Sequence, residues 1–264
     1  MKYKMYQKEL KISQQAAREA GQYLKKEFFK YQRGGEKYKS PREMVTRCDQ
    51  KVEDIIFKHL KRHFPSYGSL SEESGLDSQK NKCSWVVDPL DGTHNFTVHN
   101  PIFSVSIALL YQNKIVMAIT FMPLLDEMYW AIKNKGSYKN NKKIKISSIS
   151  KLNKSFINYC HGAGPSNYKK AFQIYEYFHP RTTNIRHFGS TTLELAMVAG
   201  GHTDALILPG GKIWDLAAGV LLVREAGGIV TDFKGHQWTP NSKNLVASNK
   251  KLHLQILKYV KKFA

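Results

Sequence analysis

Apolar residues recur at helical spacing along the first stretch, from about Lys4 to Tyr31: Leu10, Ile12, Ala16, Ala17, Ala20, Tyr23, Leu24 and Phe28 fall close to one face. Gly34-Gly35 predicts its end, and Glu36 to Pro41 reads as a polar, basic connector carrying Lys37 and Lys39. A second helix is expected after Thr46. There Thr46-Arg47-Cys48-Asp49 matches a capping box, and Val52, Ile55, Ile56 and Leu60 share the inner face. The period then changes. A short strand should end near Leu70 with Glu72-Glu73 at its tip, followed by a polar loop over 76–82. Trp85-Val86-Val87 is β-prone. Pro89 lacks an amide hydrogen and disfavours a helical Asp88, so the strand should stop there. Asp91 and Thr93 stand where a new helix can begin.

From Ile102 to Ile132 the pattern predicts an antiparallel meander. Its strands are Val105–Leu110 and Ile115–Ile119, either side of the turn Gln112-Asn113-Lys114, then Met128–Ile132. Gly136, Asn140 and Asn141 mark further turns. Beyond Lys154 the expected elements are a strand at Phe156–Cys160, a helix at Tyr168–Phe178 and a short strand at Ile185–Phe188. A helix opened by Gly189-Ser190-Thr191-Thr192 should run through Val198 and end at Gly200-Gly201. A strand at Asp204–Leu208 leads through a glycine loop to a small-residue helix, Leu216 to Gly228, with Asp215 at its start. Leu252 to Val260 closes the chain as an amphipathic helix. There is no internal repeat. Helices alternating with mostly antiparallel strands predict a layered α/β sandwich of two packed halves, a single domain over 1–264. Its N-terminal half, about 1–150, holds the acidic loop, and about 151–264 forms the rest.

Composition adds bounds. The 264 residues suffice for a sizeable core, and 42% hydrophobic and 12% aromatic residues suit a globular chain. No apolar run approaches the roughly 18 residues of a membrane span. No signal-type apolar region follows the basic start, so a cytoplasmic protein is expected. Cys48, Cys83 and Cys160 are scattered without metal spacing and read as buried free thiols. The net charge of +20 is mostly lysine spread along the chain. It reads as a solvated basic surface that steers anionic substrates, rather than as a nucleic-acid site of clustered Arg and aromatics.

The acids carry the chemistry. Asp49, Glu72, Glu73, Asp88, Asp91 and Asp215 each lie at a strand end or helix start beside an apolar segment. Singly, each has a plain reading: Asp49 answers the Thr46 cap, Glu72-Glu73 is a solvated turn, and Asp215 caps a helix. Gathered at one sheet edge they would repel each other unless cations sat among them. Carboxylates collect hard cations such as Mg²⁺, and amides at a helix start collect phosphate oxygens. No His/Cys cluster suggests zinc, and no Gly-x-x-x-x-Gly-Lys-Ser/Thr loop suggests a nucleoside triphosphatase.

Three motifs taken together resemble the inositol monophosphatase family of Mg²⁺-dependent, lithium-sensitive phosphatases. They are Glu72-Glu73-Ser74-Gly75, then Asp88-Pro89-Leu90-Asp91-Gly92-Thr93 with Asn95-Phe96, then Trp214-Asp215 with Ala217-Ala218-Gly219. The similarity runs from about Ala16 to Val260. The resemblance implies a five-layered α-β-α-β-α sandwich, a homodimer, and two or three Mg²⁺ ions. Glu72, Asp88 and the Leu90 carbonyl would hold the first ion; Asp88, Asp91 and Asp215 the second; a third would sit near Glu72. Glu73 would lie beside this metal shell and orient it, and Thr93 and Asp49 would form the pair that polarises the attacking water. Gly92 and Thr93 would hold phosphate, and Gly189, Thr191, Leu208 and Asp215 would complete the substrate contacts. The implied reaction is hydrolysis of a small polyol phosphate, inositol 1-phosphate first, by metal-activated water attack. Fructose bisphosphate, histidinol phosphate and 3′-phosphorylated adenine nucleotides are the alternatives within the family. A catalytically idle, basic nucleic-acid-binding protein is the alternative outside it. Two positions depart from the family pattern. Tyr38 stands where relatives carry lysine, and Leu208 stands where inositol-cleaving members commonly carry an acid.

Overall fold

A computed structural model describes residues 6–34, 36–40, 43–77 and 81–264. The expected helix start at Lys4, Gly35 of the glycine stop, Pro41 of the connector and residues 78–80 of the polar loop lie outside the described residues.

Three sheets organise the described residues. A hairpin pairs β1 (Lys37–Ser40) with β2 (Glu43–Val45). The stretch read as a connector is therefore largely strand. The large sheet has eight strands. It contains β3 (Gly68–Ser71), β4 (Gly75–Asp77), β5 (Cys83–Asp91), β6 (Ser104–Tyr111), β7 (Lys114–Met122), β8 (Glu127–Ile132), β9 (Gly136–Lys139) and β10 (Lys142–Lys143). Its order is β10-β9-β8-β7-β6-β5-β3-β4, and only β3 and β5 run parallel. The third sheet has the order β12-β11-β13-β15-β14. These strands are β11 (Phe156–Tyr159), β12 (Asn184–Arg186), β13 (Ala205–Pro209), β14 (Ile229–Thr231) and β15 (Asn244–Ser248). Here β11 runs parallel to both β12 and β13, so this sheet is mixed. No strand is expected between Gly228 and Leu252, yet β14 and β15 both lie there.

Helices fill the other layers. α1 (Gln7–Phe28) and α2 (Arg47–His63) cover one face of the large sheet through β7 and β5. α5 (Thr191–Ala199) and α6 (Ile213–Glu225) lie between the two large sheets, and α4 (Pro165–Phe178) and α7 (Lys250–Val260) cover the outside of the smaller one. This is the five-layered α-β-α-β-α sandwich. The strand period of two distributes side chains between layers. Trp85 and Val87 join the core under α1 and α2, while Val86 joins the central one. Ala205 and Ile207 pack toward α4 and α7, while Leu206 and Leu208 pack toward α6. With both faces covered, strands become continuous apolar runs, and the middle of α6, Leu216 to Val223, is apolar all round because it is buried all round.

The acidic loop sits at a fault in this lattice. β5 does not stop at Asp88; it continues to Asp91, with its register to β6 broken between the two. Pro89 falls inside the break, where its missing donor costs no ladder bond. Gly92 then takes φ +94°, and a Cβ there would stand 2.9 Å from the Ile102 carbonyl oxygen. Only glycine makes this turn cheaply. The helix that follows, α3 (Thr93–Thr97), has five residues.

Candidate active site

A cleft of about 710 Å³ opens at this fault and is walled by both halves of the chain. Glu72, Asp88, Leu90, Asp91, Gly92 and Thr93 line it from the first half; Gly189, Thr191 and Asp215 line it from the second.

Asp49 lies beneath it, 2% exposed at the start of α2. Its Oδ2 accepts from the Thr46 amide at 2.8 Å and the Thr46 hydroxyl at 2.6 Å. Its Oδ1 accepts from Thr93 Oγ1 at 3.0 Å, and the Leu90 carbonyl is a second acceptor for the same hydroxyl at 3.0 Å. The capping reading and the chemical reading of Asp49 thus describe two oxygens of one carboxylate. Burial is the main reason its carboxyl is pushed up to about 6, and the charge of nearby Glu73 adds to the shift. Glu73 is not among the residues lining the cleft.

Asp91 joins the halves. Its Oδ2 accepts from Ser190 Oγ at 2.6 Å, from the Thr192 amide and hydroxyl, each at 2.8 Å, and from Ser104 Oγ at 3.5 Å. Its Oδ1 accepts from the Thr191 amide at 3.2 Å. Ser190 makes no side-chain cap to its own helix, so α5 is capped by a carboxylate a hundred residues earlier in the chain. Asn95 Nδ2 donates to the Ile102 and Phe188 carbonyls, both at 2.7 Å, and holds the second-half loop against the first. Glu53 Oε1 accepts from the Ser74 amide and hydroxyl, both at 3.2 Å, and fixes the Glu72-Glu73 turn. Ser104, Ser190, Thr192 and Glu53 escape the sequence reading. The hydroxyl-rich start of α5 is their one local signal, and its partner is remote.

Asp215 occupies the third position of α6 rather than its cap, and its Oδ2 accepts from the Lys212 amide at 2.9 Å. Asp88 Oδ1 accepts from the Leu90 amide at 3.1 Å. Both carboxyls are raised well above the usual range, first by burial. The charges of Glu72, Asp91, Asp215 and Asp49 add to the rise at Asp88; those of Asp91 and Glu72 add to it at Asp215. Among the described residues, no group of three or more His, Cys, Asp or Glu is closed around one point to hold a metal ion. The chemistry of the set nonetheless fits a hard divalent cation. It is all oxygen, and its repulsion is what a cation relieves.

Leu208 corrects an expectation. It is 1% exposed, packs in the central core and is not among the residues lining the cleft. Strand alternation sends it inward, and a Cβ at Gly211 would come within 2.7 Å of its Cδ2. The glycine lets the loop close over the leucine. Tyr38 is 65% exposed on β1, paired with Met44, which does line the cleft. All three cysteines are buried and outside any disulfide. No helix among the described residues is long and apolar enough to cross a membrane.

The sequence matches the inositol monophosphatase family over residues 5–263. An inositol-1-monophosphatase of Mesorhizobium japonicum is 36% identical over 259 residues, covering 96% of each chain. The Nus factor SuhB of Xylella fastidiosa is 38% identical over 250 residues, covering 91% of this chain and 90% of that one. Among solved structures, the extragenic suppressor protein suhB from Bartonella henselae superposes with a TM-score of 0.92 at 34% identity, covering 97% of this chain and 99% of that one.

Proposed function

The chain belongs to the inositol monophosphatase family and is a phosphoric monoester hydrolase, and on that premise we propose a Mg²⁺-dependent phosphatase of small polyol phosphates, inositol 1-phosphate first among them. The observation that carries this reading is the cleft itself, where buried Asp88 and Asp91 and half-buried Glu72 and Asp215 come together from both halves beside the Thr93–Asp49 pair. Glu72, Asp88 and the Leu90 carbonyl would hold one Mg²⁺, and Asp88, Asp91 and Asp215 another, with a third near Glu72. When bound, Mg²⁺ supplies the positive charge that favours hydroxide over water and stabilises the departing alkoxide.

The chain's own residues do the rest. Asp49, seated on α2 by Thr46, takes the hydrogen bond of Thr93 Oγ1 and leaves the lone pairs of that hydroxyl to orient the attacking water. The amides of Gly92 and Thr93, at the head of α3, hold phosphate oxygens. Gly189 and Thr191 bound the alcohol side. No side chain here is an activated nucleophile. Burial raises the thiol of Cys160, which lines the cleft, so it stays protonated. The enzyme is expected to be a homodimer inhibited by millimolar Li⁺.

The test is phosphate release from inositol 1-phosphate, fructose 1,6-bisphosphate, histidinol phosphate and glycerol 2-phosphate, with Mg²⁺ and with EDTA. Release confined to Mg²⁺ supports the reading. No release from any ester, with RNA or DNA bound tightly at physiological salt, would replace it with the idle-scaffold alternative.

A further inference from the structure

Glu194 is completely buried, and no step of the mechanism above uses it. It is the fourth residue of α5, and the other buried residues of that helix from Leu193 onward are all apolar. A carboxyl placed there loses its water, and only hydrogen bonds can offset the loss. Its Oε1 accepts from the Phe188 amide at 2.7 Å and from the Gly189 amide at 3.2 Å. Its Oε2 is buried without a hydrogen-bond partner among the described residues.

These bonds do not cap the helix. A cap takes amides of the first turn, whereas Phe188 and Gly189 precede Ser190, the N-cap of α5. The first-turn amides of Thr191 and Thr192 go to Asp91 instead. The strip 188–192 is therefore divided between two carboxyls. Glu194 takes the amides before the cap, and Asp91 takes those after it. The Phe188 carbonyl is occupied as well, by Asn95 Nδ2 at 2.7 Å. Phe188 is thus held at its N–H from the second half of the chain and at its C=O from the first. Gly189 has little room beside it: its φ is +74°, and a Cβ there would stand 3.3 Å from Asn95 Nδ2. Both Phe188 and Gly189 line the cleft.

Glu194 is itself anchored. Its backbone carbonyl accepts from Asn158 Nδ2 at 3.3 Å, and Asn158, buried on β11, also donates to Thr203 Oγ1 at 3.0 Å. Burial holds the Glu194 carboxyl well above the usual carboxylate range against the pull of the two amides, and the charge of Asp91 adds to the rise. The neutral acid offers one carbonyl oxygen to both amides and sets no further charge beside Asp91. A carboxamide would do the same.

We propose that Glu194 is a positioning residue for the alcohol half of the substrate: by holding the Phe188 and Gly189 amides it fixes the strip that bounds that side of the cleft. Without it those two amides are free to turn, and Gly189 and Thr191 lose their place. The head of α3, with the amides that would hold phosphate, keeps its own turn at Gly92. The proposal rests on the phosphatase reading of the cleft and deepens it. Glu194 touches no reacting atom, so its loss acts on binding of the alcohol before it acts on chemistry.

The experiment measures KM and kcat for inositol 1-phosphate, and the inhibition constant of inorganic phosphate, in wild type, Glu194→Gln and Glu194→Ala with Mg²⁺ present. Glu194→Ala should raise KM by about 10- to 100-fold, with kcat within about fivefold and the phosphate constant within about threefold. Glu194→Gln keeps the accepting oxygen and should stay within about threefold of wild type in all three. Equal rises in KM and in the phosphate constant, a loss in kcat alone, a folded Glu194→Ala with unchanged KM, or a Glu194→Gln as impaired as Glu194→Ala each overturn the proposal. If Glu194→Ala does not fold, Glu194→Asp, with its arm one methylene shorter, takes its place with the same expectations. Hydrogen exchange of the Phe188 and Gly189 amides reads the hold without turnover. It should be slow in wild type and Glu194→Gln, and faster by about tenfold or more in the variant that loses the bonds. If wild type releases phosphate from no ester, the phosphatase reading fails by itself and takes the alcohol-side role with it. The hold on Phe188 and Gly189 then stands on that exchange pattern and falls on amides that exchange alike in all variants.

Discussion

Thr93 Oγ1 stands 3.0 Å from Asp49 Oδ1, while the other oxygen of Asp49 caps α2 through the amide and hydroxyl of Thr46. Asp49→Asn leaves one acceptor oxygen for two sets of donors. We expect kcat to fall by roughly 10²- to 10⁴-fold and unfolding free energy to fall by about 1 kcal/mol. Thr46→Ala should lose a similar cap energy while kcat stays within a few-fold. Steady-state kinetics and denaturant melts of both variants check this. Equal losses of kcat would assign Asp49 to capping alone.

Ser190→Ala removes the shortest of the hydrogen bonds that Asp91 accepts from the start of α5. The bond is buried and charge-assisted, so the cost should be roughly 1.5–3 kcal/mol of unfolding free energy. Denaturant unfolding measures it. A change below ~0.5 kcal/mol would mean that Thr192 and Ser104 already satisfy the carboxylate.

Leu208→Glu would place a carboxylate in the central core rather than beside a substrate. We expect a loss on the order of 3 kcal/mol or more, with the ratio of kcat/KM for inositol 1-phosphate over glycerol 2-phosphate not raised. A stable variant with a raised ratio would return this position to the substrate side.

His253 is buried between the Thr231 hydroxyl at 2.9 Å and the Ser248 hydroxyl at 3.0 Å. The Thr231 hydroxyl donates to the Asp232 carbonyl at 2.7 Å, so it accepts from Nε2–H; the single hydrogen of the Ser248 hydroxyl has two acceptors, Nδ1 at 3.0 Å and the Asn249 carbonyl at 3.3 Å, and the nearer is Nδ1. A neutral ring fits, and burial lowers its pKa to about 4. Below about pH 6.5 the unfolded chain takes up a proton that the folded one refuses. Stability is therefore lost as pH falls from about 6.5 to 4, by roughly 2–3 kcal/mol in all. The excess stability of wild type over His253→Asn, measured by urea melts with Mg²⁺ present, should shrink across that window. A constant difference would show that His253 titrates alike in both states.

Much of this molecule is legible in its sequence because local signals and burial agree. The α2 cap, the meander turn at Gln112-Asn113, with φ of 49° and 59°, and the α6 helix follow from residue type alone. What is not legible depends on remote partners. β14 has only three residues and follows a glycine pair, and β15 is a short apolar run set among polar residues. Lys37–Ser40 becomes strand only by pairing with Glu43–Val45. Nothing near Asp91 says that its carboxylate will cap a helix beginning at Thr191. Leu208 illustrates the opposite error: a position matched correctly in a motif, with its direction decided by strand alternation.

The buried carboxylates also have a signature in stability. Asp88 is 1% exposed and crowded by the charges of Glu72, Asp91 and Asp215. Asp88→Asn removes the most crowded charge and keeps the volume. In EDTA the variant should melt above wild type, whereas Mg²⁺ should raise the wild-type Tm more than that of the variant. Scanning fluorimetry in both conditions checks it; a variant less stable in EDTA would mean that Asp88 is held by contacts other than a cation.

Of the proposed ligands Asp88 matters most, because it would serve both cations. Its most direct test is Mg²⁺-dependent phosphate release from inositol 1-phosphate by wild type and Asp88→Asn, each shown folded by circular dichroism. The account predicts a loss on the order of a thousandfold; a folded variant that keeps more than about a tenth of the wild-type rate would contradict it.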